Sequence, residues 1–143
     1  MNRKERTRVL VEGDAELLER MAREAQRECK VEVVRKPDQE LVMLKVREDA
    51  QRSLFYLGEA LMTSCTVRLG DAFGYGMVLG EDEQKAYLLA VVDAAYACAD
   101  ASLPLDEWDA LLEEEHARLA DERLLRNAAL LRTQVDFSTM DEL

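Results

Sequence analysis

Residues 54–79 read LFYLGEALMTSCTVRLGDAFGYGMVL, a stretch dense in apolar and β-branched side chains that only Gly70 and Asp71 interrupt as turn material. Aromatic and β-branched residues suit a pleated strand and a Gly-Asp pair suits a turn, so the stretch predicts a β-hairpin that closes before Gly80. Upstream, Val31 and Val33, then Val42, Leu44 and Val46, alternate with polar or long side chains on either side of Lys36, Pro37 and Asp38. That pattern predicts another hairpin, with the Lys-Pro-Asp segment as its turn. The two hairpins together imply an antiparallel sheet of about four strands.

Helical periodicity flanks the sheet. Gly13 and Asp14 offer a cap ahead of Leu17, Leu18, Met21, Ala22 and Ala25, which predicts a helix over residues 14–28. Residues 82–101 are rich in Ala, Leu and Val with little polar face, so this helix is expected to be buried against the sheet. Ser102 and Pro104 mark the start of a last helix, whose stripe of Leu105, Trp108, Leu112, Leu119 and Leu131 reaches about Thr133. The expected architecture is α+β: an N-terminal helix, the antiparallel sheet and two C-terminal helices. It forms one domain over residues 1–143, with 134–143 as an extended tail.

A chain of 143 residues has room for one core, and its 48% hydrophobic content excludes general disorder. The net charge of −11 argues against nucleic acid or an anionic membrane as a partner. Between Glu81 and Arg123 stand thirteen carboxylates and three cations, so −10 of that charge belongs to the two C-terminal helices. The longest apolar run, residues 86–92, is far too short to span a bilayer, and the charged start lacks a signal-peptide core. Cys29, Cys65 and Cys98 are odd in number and widely spaced, which suits a reducing compartment. A cytoplasmic location is therefore expected.

No residue set predicts a reaction. The three cysteines with His116 match a zinc set in composition, but their spacing is wrong, so no metal is expected. Gly74, Gly76 and Gly80 lack the strand-to-helix placement of a phosphate loop; the glycines among the strand residues are read as needed for a bulge or for close approach by another backbone, and Gly80 as a turn feeding a helix start. Glu59, beside Gly58 and Ala60 in an apolar strand, must be exposed, hydrogen-bonded or functional. It is the natural centre of the alternative reading, a free-standing binding module or enzyme.

The order Gly58-Glu59-Ala60, Thr63, Cys65, Val67-Arg68-Leu69, Gly74-Tyr75-Gly76, Gly80, Asp82, Ala86 and Asp93-Ala94 resembles the PhnG family, the G subunits of the bacterial carbon-phosphorus lyase core complex. The tail, Arg132-Thr133 then Val135-Asp136-Phe137 and Thr139-Met140, is similar to the close of that family. The resemblance implies an accessory subunit in organic phosphonate catabolism that acts with I, H, J and L type subunits. In that system adenine is displaced from ATP by methylphosphonate to form ribose 1-methylphosphonate 5-triphosphate. It implies no cofactor and no assigned catalytic residue, the chemistry being attributed to the I subunit. Two residues depart from the family pattern: Glu81 stands where an Arg is usual, and Ser138 replaces an aromatic residue of the tail. Val135, Asp136, Phe137, Thr139 and Met140 are expected to dock on a partner as an added strand, the alternative being that they pack back on their own domain. The chain alone is expected to self-associate as a symmetric dimer.

Overall fold

The computed structural model describes residues 1–135, and the tail residues Asp136, Phe137, Thr139 and Met140 lie outside them. The elements run α1 (Arg3–Glu12), α2 (Ala15–Glu28), β1 (Val31–Arg47), β2 (Leu54–Leu69), β3 (Ala72–Leu79), α3 (Glu83–Cys98) and α4 (Leu105–Leu131). The fold is α+β, with both strand pairs antiparallel in the order β1-β2-β3.

The sheet has three strands among the described residues, rather than about four. Lys36, Pro37 and Asp38 do not turn the chain: β1 runs through them, and its register against β2 slips between Val33 and Arg35 and again between Arg35 and Asp38. A proline lacks the N–H of a strand ladder, and an edge strand with a bulge is where that loss is tolerated. The turn instead falls at residues 48–53, where Glu48 N–H donates to the Ser53 carbonyl at 3.1 Å and Arg52 takes a left-handed φ of 53°. The β2–β3 hairpin turns at Gly70 as expected, with φ 58°.

A helix also forms where no apolar period announces one. Asn2 caps α1 by accepting from Glu5 N–H while the Glu5 side chain accepts from Asn2 N–H, and Val9 and Leu10 bury its inner face. The Asn-x-x-Glu capping box was the available signal.

Burial of β2 and β3 decides how the layers meet. Cys65, Val67 and Leu69 on β2 are buried, as are Gly74, Gly76 and Val78 on β3, and α3 lies across that face. The two glycines make the approach possible. A Cβ on Gly76 would stand 1.9 Å from the Ala86 carbonyl oxygen, and one on Gly74 would stand 2.1 Å from that of Ala90. The helix matches them with small residues, since Ala86, Ala90 and Ala94 are wholly buried. Behind α3 packs α2, and Trp108 of α4 fills the space between them, its ring 5.9 Å from that of Tyr96 and its Nε1 donating to Glu24 at 2.7 Å. No helix of the described residues is long and apolar enough to cross a membrane.

Candidate interaction surface

Most of the motif residues build the fold. Thr63 is fully buried; its hydroxyl donates to the Gly80 carbonyl at 2.5 Å and accepts from Asp82 N–H at 3.3 Å. Gly80 supplies a φ of 85°, and the Asp82 carboxylate accepts from Lys85 N–H at 3.0 Å as the cap of α3. These residues turn the chain from β3 into α3 and set the helix on the sheet. Glu81 is exposed at the same turn.

Asp93 locks a second corner. Its carboxylate accepts from Tyr75 N–H at 2.9 Å, from Arg3 Nε and Nη2 at 2.9 and 2.6 Å, and from Arg6 Nη2 at 3.4 Å. The Arg6 guanidinium lies 3.9 Å from the ring centre of Tyr96, whose hydroxyl donates to Asp109 at 2.8 Å. Burial first, then the Asp109 carboxylate, pushes the Tyr96 phenol well above its ordinary pKa. Because Tyr75 N–H points off the free edge of β3, Asp93 occupies the edge position that another strand would use.

The other groups that suggested chemistry are dispersed. Cys65 is buried, its thiol facing the Arg35 carbonyl at 3.4 Å, and burial raises its pKa. Cys29 and Cys98 are half-buried. His116 is half-buried on α4 and lines a small cavity with Arg8 and Arg123. No metal-holding group of three His, Cys, Asp or Glu residues occurs among the described residues. Glu59 is exposed on β2 opposite Met43, and Ala60 next to it is half-buried opposite Val42.

Glu59 belongs to a larger feature. β3 ends with Leu79 paired to Met62, but β1 and β2 continue together from there to Arg47 and Leu54. They form a two-stranded arm. Side chains of a strand alternate between faces, and in this arm both faces are apolar. Leu41, Met43 and Leu61 fall on one face and Val42, Leu44 and Met62 on the other, all on the paired register Leu41↔Leu61, Val42↔Ala60, Met43↔Glu59 and Leu44↔Gly58. Leu41 is 65% exposed and Leu57 63%. Gly58 has a φ of 150°, and the register advances there so that Leu57 has no partner on β1, a bulge that bends the arm.

The sheet face away from α3 continues the feature. Phe73, Tyr75, Met77 and Leu79, the alternate residues of β3 facing away from the core, are all exposed, and so are Leu124, Leu125, Leu130 and Leu131 near the end of α4. The chain exposes 10166 Å² in all, against roughly 7,500 Å² expected of a compact monomer of this mass. A chain that leaves this many large apolar side chains in water carries the mark of an interaction surface. Reading the sequence for chemistry singled out Glu59 and passed over its surroundings. The signal was the run Leu41-Val42-Met43-Leu44, apolar in both phases of the alternation.

The class of protein defined here is a small α+β chain whose distinctive residues hold a helix on a sheet while, among the described residues, a large apolar surface stays open. Its sequence matches the family described as phosphonate metabolism protein PhnG over residues 1–141. It is also 36% identical, over 108 residues covering 75% of this chain and 67% of the relative, to the alpha-D-ribose 1-methylphosphonate 5-triphosphate synthase subunit PhnG of Rhizobium meliloti (strain 1021). The chain belongs to the PhnG family.

Proposed function

We propose that this chain is the G subunit of a ribose 1-methylphosphonate 5-triphosphate synthase and serves it as an assembly subunit, with the arm and the open sheet face seated on its I, H, J or L type partners. The observation that carries this reading is the two-faced apolar arm in a chain of this family. The arm extends beyond β3, and both of its faces need a partner to leave water. The motif residues support a structural role, since Thr63, Gly74, Gly76, Gly80, Asp82 and Asp93 are engaged in holding α3 and α1 on the sheet. Electrostatics points the same way: a protein of charge −11 repels a polyanionic nucleotide and a phosphonate, so both are better held by a partner.

In this reading the substrates are ATP and methylphosphonate, adenine is the leaving group, and the chain has no cofactor of its own. It acts in the cytoplasm, and without partners it forms a homodimer through part of the same apolar surface. Co-expression with the I type subunit is expected to give one complex stable to gel filtration at moderate salt, while the pure chain releases no adenine from ATP and methylphosphonate. Separate elution at micromolar concentration would refute the assembly role. Adenine release by the pure chain, abolished by Glu59→Gln, would replace it with the enzyme reading centred on Glu59.

A further inference from the structure

Among the described residues the sheet has three free edges, and they differ in how each is protected. Among these residues none pairs with the outer side of β1, but Glu32, Arg35, Lys36, Glu40, Lys45 and Arg47 charge it and Pro37 interrupts it. Charges and proline are the usual means of keeping strands from joining an edge. β3 is blocked at its middle, where the Tyr75 N–H is taken by Asp93 and the Arg3 guanidinium lies 5.8 Å from the Tyr75 ring centre. The third edge is the side of β2 that β3 leaves bare after Leu79. There residues 54–62 read LFYLGEALM, with Glu59 the one charge.

The hydrogen-bonding groups of that edge can be followed from its last rung. Gly80 N–H donates to the Leu61 carbonyl at 2.8 Å, so Leu61 turns its polar groups away from β1. Antiparallel strands alternate in this respect, which brings Glu59 N–H and C=O to the same side. The extra residue Leu57 shifts the phase by one, after which Tyr56 and Leu54 face outward. The bond from Glu48 N–H to the Ser53 carbonyl fits this phase, since it places Ser53 inward. Among the described residues, no hydrogen bond reaches the outward groups of Glu59, Tyr56 or Leu54.

We infer that this bare edge of β2, beyond the end of β3, accepts an extended apolar segment of another synthase subunit as an added strand. The inference rests on the assembly role proposed above and names the place and manner of contact. An added strand would satisfy the outward groups of Glu59, Tyr56 and Leu54 and continue the line of β3 along the arm. Its side chains would alternate onto both apolar faces, so an uncharged, apolar segment fits. The charged outer edge of β1 would stay in solvent.

Hydrogen exchange of the full chain, free and in complex with the co-expressed subunits of the synthase, tests this. In the complex the amides of Glu59 and Tyr56 are expected to exchange at least tenfold more slowly, with those of Leu41 and Met43 on the outer side of β1 unchanged. Glu59→Pro removes an outward donor and leaves the rungs to β1 in place, so it should weaken assembly at least tenfold while Glu59→Ala assembles normally. An assembled complex without slowed exchange at Glu59 and Tyr56 overturns the inference and leaves the assembly role standing. Slowing in the free chain also overturns it: a dependence on concentration would make the strand donor a second copy, and loss on truncation after Arg132 would make it the chain's own C-terminus. Failure of the wild-type chain to assemble removes the assembly role and this inference with it.

Discussion

The two halves of β2 teach more together than either does alone. Thr63 to Leu69 is buried or half-buried throughout, between β1, β3 and α3, whereas Leu54 to Leu61, the more apolar half, is almost wholly exposed. Hydrophobicity alone does not decide what the chain buries. The inner half is covered because Gly74 and Gly76 let α3 come down onto it, and the outer half extends past the end of both β3 and the helix. One strand therefore belongs to a self-sufficient body at one end and to a surface that needs a partner at the other.

The sharpest way to break this division is to lift α3. Gly76→Ala sets a Cβ against the Ala86 carbonyl, a backbone atom held by its own helix, so the clash cannot be relieved by a side-chain rotation. Overpacking of this kind is expected to cost about 3 kcal/mol, lowering the thermal midpoint by roughly 10 °C. A midpoint within about 2 °C of wild type, measured by calorimetry, would show that the sheet and helix are not in close register there.

A smaller effect separates the body from the arm by pH. Burial opposes ionisation of Glu24, but the bonds from Trp108 Nε1 and Arg20 outweigh it and hold the carboxyl below its ordinary pKa. Glu115 is lowered chiefly by Arg118, against some burial, and it also accepts from Asp14 N–H at 2.8 Å, tying the α1–α2 corner to α4. A carboxylate depressed in the folded state stabilises above its unfolded pKa of about 4.3, and that stabilisation is lost as pH falls through the folded value. The midpoint of the free chain should therefore fall as the pH drops below about 4.5, with a shallower slope in Glu24→Gln and Glu115→Gln. Unchanged slopes in both variants would assign the acid sensitivity to other groups.

How much of this was legible beforehand follows the same boundary. The body could be read: the β2–β3 hairpin, the buried α3, the cap at Asp14 and the stripe of α4 all follow local period and turn chemistry. Of the two readings of Gly74 and Gly76, a bulge or a close approach, α3 selects the second, the β2–β3 register running through both without a slip. The misreadings concern context. Pro37 looks like a turn until β1 is known to be an edge, and α1 presents its buried Val9 and Leu10 amid Arg, Lys and Glu. Asp93 looks like a family residue without a role until the fold brings Arg3, ninety positions away, onto its carboxylate. The arm was hidden for a third reason. Val42, Leu44 and Val46 read as one alternating face, but Leu41 and Met43 between them are apolar as well, and alternation reports only a strand with one buried face.

The smallest expected effect on the free chain is therefore the most informative about the arm. Leu41 is 65% exposed and pairs with Leu61 on the arm, so the folded monomer already pays for leaving it in water. Leu41→Lys should change the stability of the free chain by no more than about 0.5 kcal/mol, as surface substitutions generally do. In the assembled synthase the same side chain would have to bury a charge against an apolar face, and assembly should weaken at least tenfold, or about 1.4 kcal/mol. The two measurements are a thermal midpoint of the free chain and a titration against the co-expressed subunits. A fall in the midpoint matching the loss of assembly would mean that the arm is stabilised within the chain itself, and the boundary drawn across β2 would be misplaced. An unchanged midpoint with unchanged assembly would keep the boundary but move the partner elsewhere, to the Phe73, Tyr75, Met77 and Leu79 face or the end of α4.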